Sequence, residues 1–323
     1  MKKDFIKIED YSKEELLKII NLSLEIKKDI NDGYYPPLLA NKNLGMIFEA
    51  PSTRTRCSLE SAMNQLGGHG QYLGVDQLQL GNHENLSDTA RVLSGLEDVI
   101  SVRTGEHSKV ETLAKYSKVP VINAMSNNAH PTQVIADVIT IIEHLPEGKK
   151  FEDLKISFVG DGTQVCASLA MISTKLGAKF IHYGPKGAKL KDDVYDVLNK
   201  TGLFVFTDNK EEIRGSDFVY TDVWCGVHEH QRSKEERVNL FKDYQVNSGL
   251  MEYIGGNCKF MHCLPAIRGE EVSDEVIDST SSICFEESDN RLTAMRGILV
   301  YLTYTPKKEN FQSEKLNRLL KEL

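Results

Sequence analysis

Five consecutive residues, Ser52-Thr53-Arg54-Thr55-Arg56, set serine and threonine hydroxyls beside paired guanidinium groups. They stand where a strand pattern, Leu44 to Glu49, stops at Pro51 and a helical pattern runs from Thr55 through Leu66 to Gly67-Gly68. A helix start presents unpaired amides and partial positive charge, and arginine meets phosphate oxygens with paired hydrogen bonds, so the segment reads as a phosphate cradle. In isolation the competing reading is a solvated helix start with an incidental arginine pair, the less favoured of the two. Arg103 closes another strand pattern, and His130-Pro131-Thr132-Gln133 stands at a further strand-to-helix turn, where His130 and Gln133 can donate to a carbonyl or phosphate oxygen. Taken singly, these are more often structural residues.

The elements that must position these groups alternate. Ser12-Lys13-Glu14-Glu15 has the form of a capping box, and apolar residues from Leu16 to Ile26 recur at helical spacing to about Lys28. Strand patterns follow around Tyr72, at Val99 to Val102 and at Val119 to Ile122, with helical stretches between them, and Thr132 to His144 reads as a long apolar helix. After the turn at Pro146-Glu147-Gly148 the alternation resumes with Ile156 to Val159, Lys179 to His182, Phe204 to Phe206, Phe218 to Tyr220 and Lys259 to Met261. Helical patterns close the chain at Leu292 to Tyr301 and Asn310 to Leu323. Strand and helix in alternation imply parallel sheets. The predicted fold class is therefore α/β, with two doubly wound parallel-sheet domains spanning 1–148 and 149–304 and a C-terminal helix within 305–323.

At 323 residues the chain suits two cores better than one. A formal charge of -8 argues against wholesale binding to a nucleic-acid backbone. The charged N-terminus and the absence of a long apolar run predict a cytoplasmic protein with no membrane span. Six cysteines without a C-x-x-C pair predict reduced thiols and no structural metal. A dinucleotide-dependent oxidoreductase is the rival fold reading, but Gly160-Asp161-Gly162-Thr163-Gln164-Val165 lacks the third glycine, and no acidic residue ends Lys179 to His182.

Four motifs taken together are more specific. Ser52 to Arg56 fits S-x-R-T-R, His130 to Gln133 fits H-P-x-Q, His262-Cys263-Leu264-Pro265-Ala266 contains H-C-L-P, and Asn290-Arg291 supplies a late arginine. In this order they resemble the aspartate/ornithine carbamoyltransferase family over nearly the whole chain. The resemblance implies a cofactor-free enzyme that takes carbamoyl phosphate and a small amine and assembles as a homotrimer. By the same resemblance Ser52, Thr53, Arg54, Thr55, Arg56, Arg103, His130, Gln133 and Arg291 hold carbamoyl phosphate, joined by Gln79 from a neighbouring subunit. Aspartate-specific enzymes carry a lysine at that loop position, which points away from aspartate. Arg103, His130 and Cys263 are the implied catalytic residues, with Cys263 touching the attacking nitrogen rather than acting as a covalent nucleophile. The amine would meet Asp222, Trp224, His262, Cys263, Leu264 and Pro265, with a cis Leu264–Pro265 peptide. The C-terminal helix would pack near the first domain or on a neighbouring subunit.

The chain departs from the ornithine branch at two places. Thr221 to Glu229 keeps Asp222 but has no Ser-Met-Gly, and Gly160 to Gln164 lacks the paired asparagines. A receptor for an amino-acid carboxylate is thus missing, and the resemblance shifts to the putrescine branch, with Asp222 drawing the distal ammonium and Trp224 packing on the methylenes. That branch carries tyrosines where Cys225 and His228 stand here.

Overall fold

The computed structural model describes residues 2–74, 76, 78, 84–224, 233–305 and 313–323. In chain order its strands are β1 (Asn43–Phe48), β2 (His69–Gly74), β3 (Val99–Arg103), β4 (Val121–Met125), β5 (Lys155–Val159), β6 (Lys179–Tyr183), β7 (Phe204–Thr207), β8 (Phe218–Thr221) and β9 (Lys259–His262). The helices of the first half are α1 (Lys13–Asn31), α2 (Thr53–Gln65), α3 (Leu86–Leu93), α4 (His107–Tyr116) and α5 (Pro131–Glu143). Those that follow are α6 (Gln164–Leu176), α7 (Asp192–Asn199), α8 (Lys234–Phe241), α9 (Ser248–Ile254), α10 (Asp274–Ile277), α11 (Cys284–Thr303) and α12 (Glu314–Lys321).

The chain divides into two compact units, 1–136 with 289–323, and 137–288. The first holds a parallel sheet of order β2-β1-β3-β4, the second a parallel sheet of order β7-β6-β5-β8-β9. Both sheets are doubly wound. Strand order reverses between β1 and β3 in the first and between β5 and β8 in the second, and such switch points are where open α/β sheets bind ligands. The expected boundaries at 148/149 and 304/305 differ from this division, in which α5 enters the second unit at Asp137 and α11 returns to the first at Asp289.

Each sheet is held by its own core. Ile47, Ile100, Val102, Val110, Leu113 and Val121 pack together in the first, and Val159, Ile181, Val219, Ile254 and Phe260 in the second. Burying one such side chain contributes about 1.5–3 kcal/mol. The N-terminal capping box forms as the sequence predicts, with the Ser12 hydroxyl accepting from the Glu15 amide at 3.2 Å and Glu15 accepting from the Ser12 amide at 2.9 Å. Helix α1 lies directly on α11: a Cβ placed at Gly297 would come within 1.9 Å of the Ser23 hydroxyl and 2.7 Å of the Ile19 carbonyl oxygen. Helix α12 packs on α1 within the same unit, burying Leu316 and Leu320, with Lys315 paired to Glu25. No described helix is long and apolar enough to cross a membrane.

Candidate active site

The carboxyl ends of β1, β3 and β4 deliver the anion-binding candidates. Ser52 is the N-cap of α2, with extended backbone (φ -156°, ψ 115°) and a hydroxyl that does not cap the helix. The helix begins at Thr53, two residues earlier than its apolar pattern suggests, so Thr53, Arg54 and Thr55 form its first turn, where amides have no acceptor within the helix. Arg291, 1% exposed on α11, donates from Nη2 to the hydroxyls of Thr55 at 3.2 Å and Thr132 at 3.3 Å. The Thr132 hydroxyl lies 3.4 Å from Nδ1 of His130. One guanidinium thus ties the start of α2 to the start of α5.

His130 and Gln133 are buried at the α5 entry, where Pro131 occupies the first helical position and gives up no needed N–H. Burial, followed by the positive charges of Arg291, Arg103 and Arg54, holds His130 well below the usual histidine range. Its ring is therefore neutral and has one N–H to give, which adds a donor without adding a fourth cation. Arg103 ends β3 at a register shift against β4, opposite Met125, and bulges of this kind redirect a side chain. The turn ahead of His130 is pinned by Asn123, whose amide donates to the Ile6 carbonyl at 2.9 Å and the Ser126 hydroxyl at 3.2 Å, and by His107, whose Nδ1 lies 2.7 Å from the same hydroxyl.

One member of the predicted cradle stands apart. Arg56 lies over the Tyr72 ring at 3.8 Å and faces Glu60 at 3.7 Å, because a residue one helical step beyond Thr55 points off the cradle's side. Gln79 lies outside the described residues, as do Cys225 and His228.

In the second unit the amine candidates gather at the ends of β5, β8 and β9. Asp222 follows β8 and is 8% exposed. Its Oδ2 accepts from the Thr163 hydroxyl at 3.1 Å, and its Oδ1 from the Cys263 thiol at 3.2 Å and the Val223 amide at 2.8 Å. Burial and then the Asp222 charge push the Cys263 thiol well above its ordinary value, so the sulfur keeps its proton. The Leu264–Pro265 peptide is cis, and Leu264 takes a left-handed φ of 56°.

His262 is fully buried and serves as the brace of that turn. Its Nδ1 accepts the Leu264 amide at 2.8 Å and Nε2 faces Glu271 at 3.0 Å, while Glu271 also accepts from the Ile267 amide at 2.7 Å. Trp224 is a core residue, 2% exposed and packed with Ala188 and Phe241, rather than a wall for methylene groups. Its carbonyl accepts from Arg237, which also pairs with Asp161.

Sequence reasoning missed a buried acid pair behind Cys263. Glu287 of α11 accepts from the Tyr220 hydroxyl at 2.8 Å and the His262 amide at 3.0 Å. Burial and the neighbouring Asp137 push Glu287 well above the usual carboxylate range, so this pair holds a proton. A signal existed: Asp137 is the lone acid in the apolar run Val134 to Ile142. No group of three or more metal-ligating side chains gathers among the described residues.

Comparison with known proteins places the two units. Residues 3–143 match the aspartate/ornithine carbamoyltransferase carbamoyl-P binding domain, and residues 152–302 match the Asp/Orn binding domain of the same family. A putrescine carbamoyltransferase of Mycoplasma mycoides is 48% identical over 314 residues, covering 93% of this chain and 86% of that protein. An ornithine carbamoyltransferase of Caldicellulosiruptor saccharolyticus is 42% identical over 304 residues, covering 92% and 97%. Among solved structures, ornithine carbamoyltransferase from Pyrococcus furiosus superposes with a TM-score of 0.88 at 39% identity, covering 93% of this chain and 97% of that one. With both halves matched in order, and with the arginine-rich helix start, the neutral histidine and the thiol–carboxylate contact where the motifs put them, the chain is a carbamoyltransferase of the aspartate/ornithine carbamoyltransferase family.

Proposed function

We propose that the protein transfers the carbamoyl group between carbamoyl phosphate and putrescine. The observation that carries the choice of amine is that Arg237, near Asp222 at the β5/β8 switch point, is already engaged by Asp161 and the Trp224 carbonyl, in a chain that lacks the ornithine branch's Ser-Met-Gly and paired asparagines. A diamine brings a second ammonium to match the Asp222 carboxylate and no carboxylate of its own. The two Mycoplasma putrescine carbamoyltransferases, at 48% and 47% identity, support the same reading. Ornithine is the second reading, favoured by relatives at 42% identity.

The first unit takes the anion. Ser52, Thr53, Arg54 and Thr55 receive the phosphate at the α2 start, with Arg103, Gln133 and Arg291 adding charge and hydrogen bonds. The neutral His130 donates to the carbamoyl oxygen as negative charge develops on it, and donors so placed are commonly worth several kcal/mol of barrier. The amine must arrive uncharged, although primary alkyl amines have pKa values near lysine's, about 10.4. Its nitrogen then attacks the carbonyl carbon, the carbon–oxygen bond to phosphate breaks with the electron pair leaving on phosphate, and the nitrogen gives up a proton. Cys263 contacts the nitrogen as a thiol. Assembly as a homotrimer, with Gln79 supplied by a neighbour, belongs to the same proposal and predicts a solution mass three times 36.3 kDa.

The experiment is a parallel initial-rate comparison with putrescine, ornithine, cadaverine, diaminopropane and aspartate. A preference for putrescine supports the proposal, and a preference for ornithine replaces it. Asp222→Asn should weaken amine saturation far more than carbamoyl phosphate saturation; equal effects on both would remove Asp222 from the amine site.

A further inference from the structure

The ladder joining β5 to β6 runs out of a donor at Pro185. The strands pair in parallel with Val159 opposite Tyr183, and the Gly160 amide donates to the Tyr183 carbonyl at 2.9 Å. In that pattern the carbonyl of Gly160 takes its bond from the amide of residue 185, and proline has none. Gly160 is buried, and a Cβ at Gly184 would stand 2.3 Å from its oxygen. Left unpaired, such a buried carbonyl forfeits the hydrogen bond it would make to water and destabilises the fold.

His182 supplies the missing bond. The side chain is fully buried, between the rings of Phe158 at 6.0 Å and Phe206 at 4.9 Å, and its Nε2 lies 3.0 Å from the Gly160 oxygen. The carbonyl can only accept, so Nε2 carries the proton. Burial pushes the ring down to about 4, which leaves it neutral. Its Nδ1 has no hydrogen-bond partner among the described residues. An aliphatic residue would bury at this strand position with no unpaired nitrogen, so the donated bond is what the histidine contributes.

Gly160, at φ 116°, opens the turn that carries the amine half-site's supports. The Thr163 amide donates to the Asp161 carbonyl at 2.8 Å, Asp161 holds Arg237, and the Thr163 hydroxyl donates to Asp222 at 3.1 Å. We propose that His182 is a positioning residue for the amine half-site: its Nε2–H replaces the backbone donor that Pro185 lacks and thereby fixes the Gly160–Thr163 turn against Asp222. This rests on the reading of Asp222 as an amine contact.

The test is steady-state kinetics and thermal melting of the full chain as wild type, His182→Leu, His182→Gln, Pro185→Ala and the His182→Leu/Pro185→Ala double variant. His182→Leu should raise the KM for putrescine about tenfold, the scale of one lost hydrogen bond, with kcat and the KM for carbamoyl phosphate within about twofold. His182→Gln, which keeps a donor, should recover most of the loss. Pro185→Ala restores a backbone N–H, so the leucine substitution should lower the melting temperature less in that background. An unchanged putrescine KM, an equal rise in both KM values, or the same melting loss in both backgrounds would overturn the proposal. If His182→Leu does not fold alone, folding in the Pro185→Ala background supports the proposal and failure in both overturns it. Absence of wild-type turnover with any amine would remove the amine reading itself, and the coupling in melting temperature between positions 182 and 185 would still decide the hydrogen-bond replacement.

Discussion

The Cys263 thiol donates to Oδ1 of Asp222 across 3.2 Å, so the negative charge of the pair resides on the carboxylate and the sulfur stays protonated. In the proposed reaction this pair therefore orients the amine and does not attack a carbonyl. Cys263→Ser should keep turnover, lowering kcat/KM for the amine by about tenfold, since a hydrogen bond to a charged group is worth about 1.5–3 kcal/mol and the hydroxyl retains part of it. Mass spectrometry under turnover should find no carbamoyl group on Cys263, and iodoacetamide should label it slowly at neutral pH. Rapid labelling would contradict the protonated thiol.

Among the charges that depress His130, Arg291 acts most strongly. Arg291→Met should therefore raise the His130 pKa toward the ordinary value of about 6.5. An imidazole NMR titration would read the shift directly, and the acid limb of the rate profile should move to higher pH with it. The same change leaves the Thr55 and Thr132 hydroxyls without this donor, at a stability cost of about 1–3 kcal/mol.

His182 also makes stability depend on pH. Its folded pKa, lowered from 6.5 to about 4, lies below the unfolded value, so between these limits the unfolded chain binds more protons. Its contribution is fully present above 6.5 and is lost as pH falls toward 4, with an upper scale of about 3 kcal/mol. Denaturant midpoints measured across that window should fall with pH, and they should fall less steeply in His182→Gln.

Gly297→Ala should destabilise the first unit by about 1–3 kcal/mol, because the new methyl meets the Ser23 hydroxyl at 1.9 Å and the backbone of Ile19 at 2.7 Å. Adding Ser23→Ala removes the first clash and leaves the second. The melting temperature of the double variant should therefore recover only in part.

Much of the fold could be read from the sequence because period and punctuation agreed. Every strand proposed from an apolar run overlaps an observed one, the largest displacement being Val119 to Ile122 against Val121–Met125, and the Ser12 capping box forms as written. The chain's division was less legible, since α5 and α11 each pass from one compact unit to the other inside an unbroken helix, with no turn residue to mark the passage. At the site, motif positions gave the neighbourhood but not the direction of side chains. Arg54 and Arg56 look alike in a string, yet Arg56 settles on Tyr72. Trp224 looks like a substrate wall until Phe241 and Ala188, distant in sequence, enclose it. His182 could not be singled out without the strand register that sets Pro185 beside a carbonyl needing a donor.

The contact at Gly297 has a consequence for synthesis. The second unit is one continuous stretch, 137–288, whereas the first is assembled from residues 1–136 and 289–323. Translation adds residues one after another, so the later-encoded unit can finish its core while the earlier one still lacks α11 to cover the Ser23 face of α1. During that interval the nascent chain displays the bare side of its oldest helix. The part made first is the part completed last, and a ribosome pausing between codons 137 and 288 would prolong that exposed state.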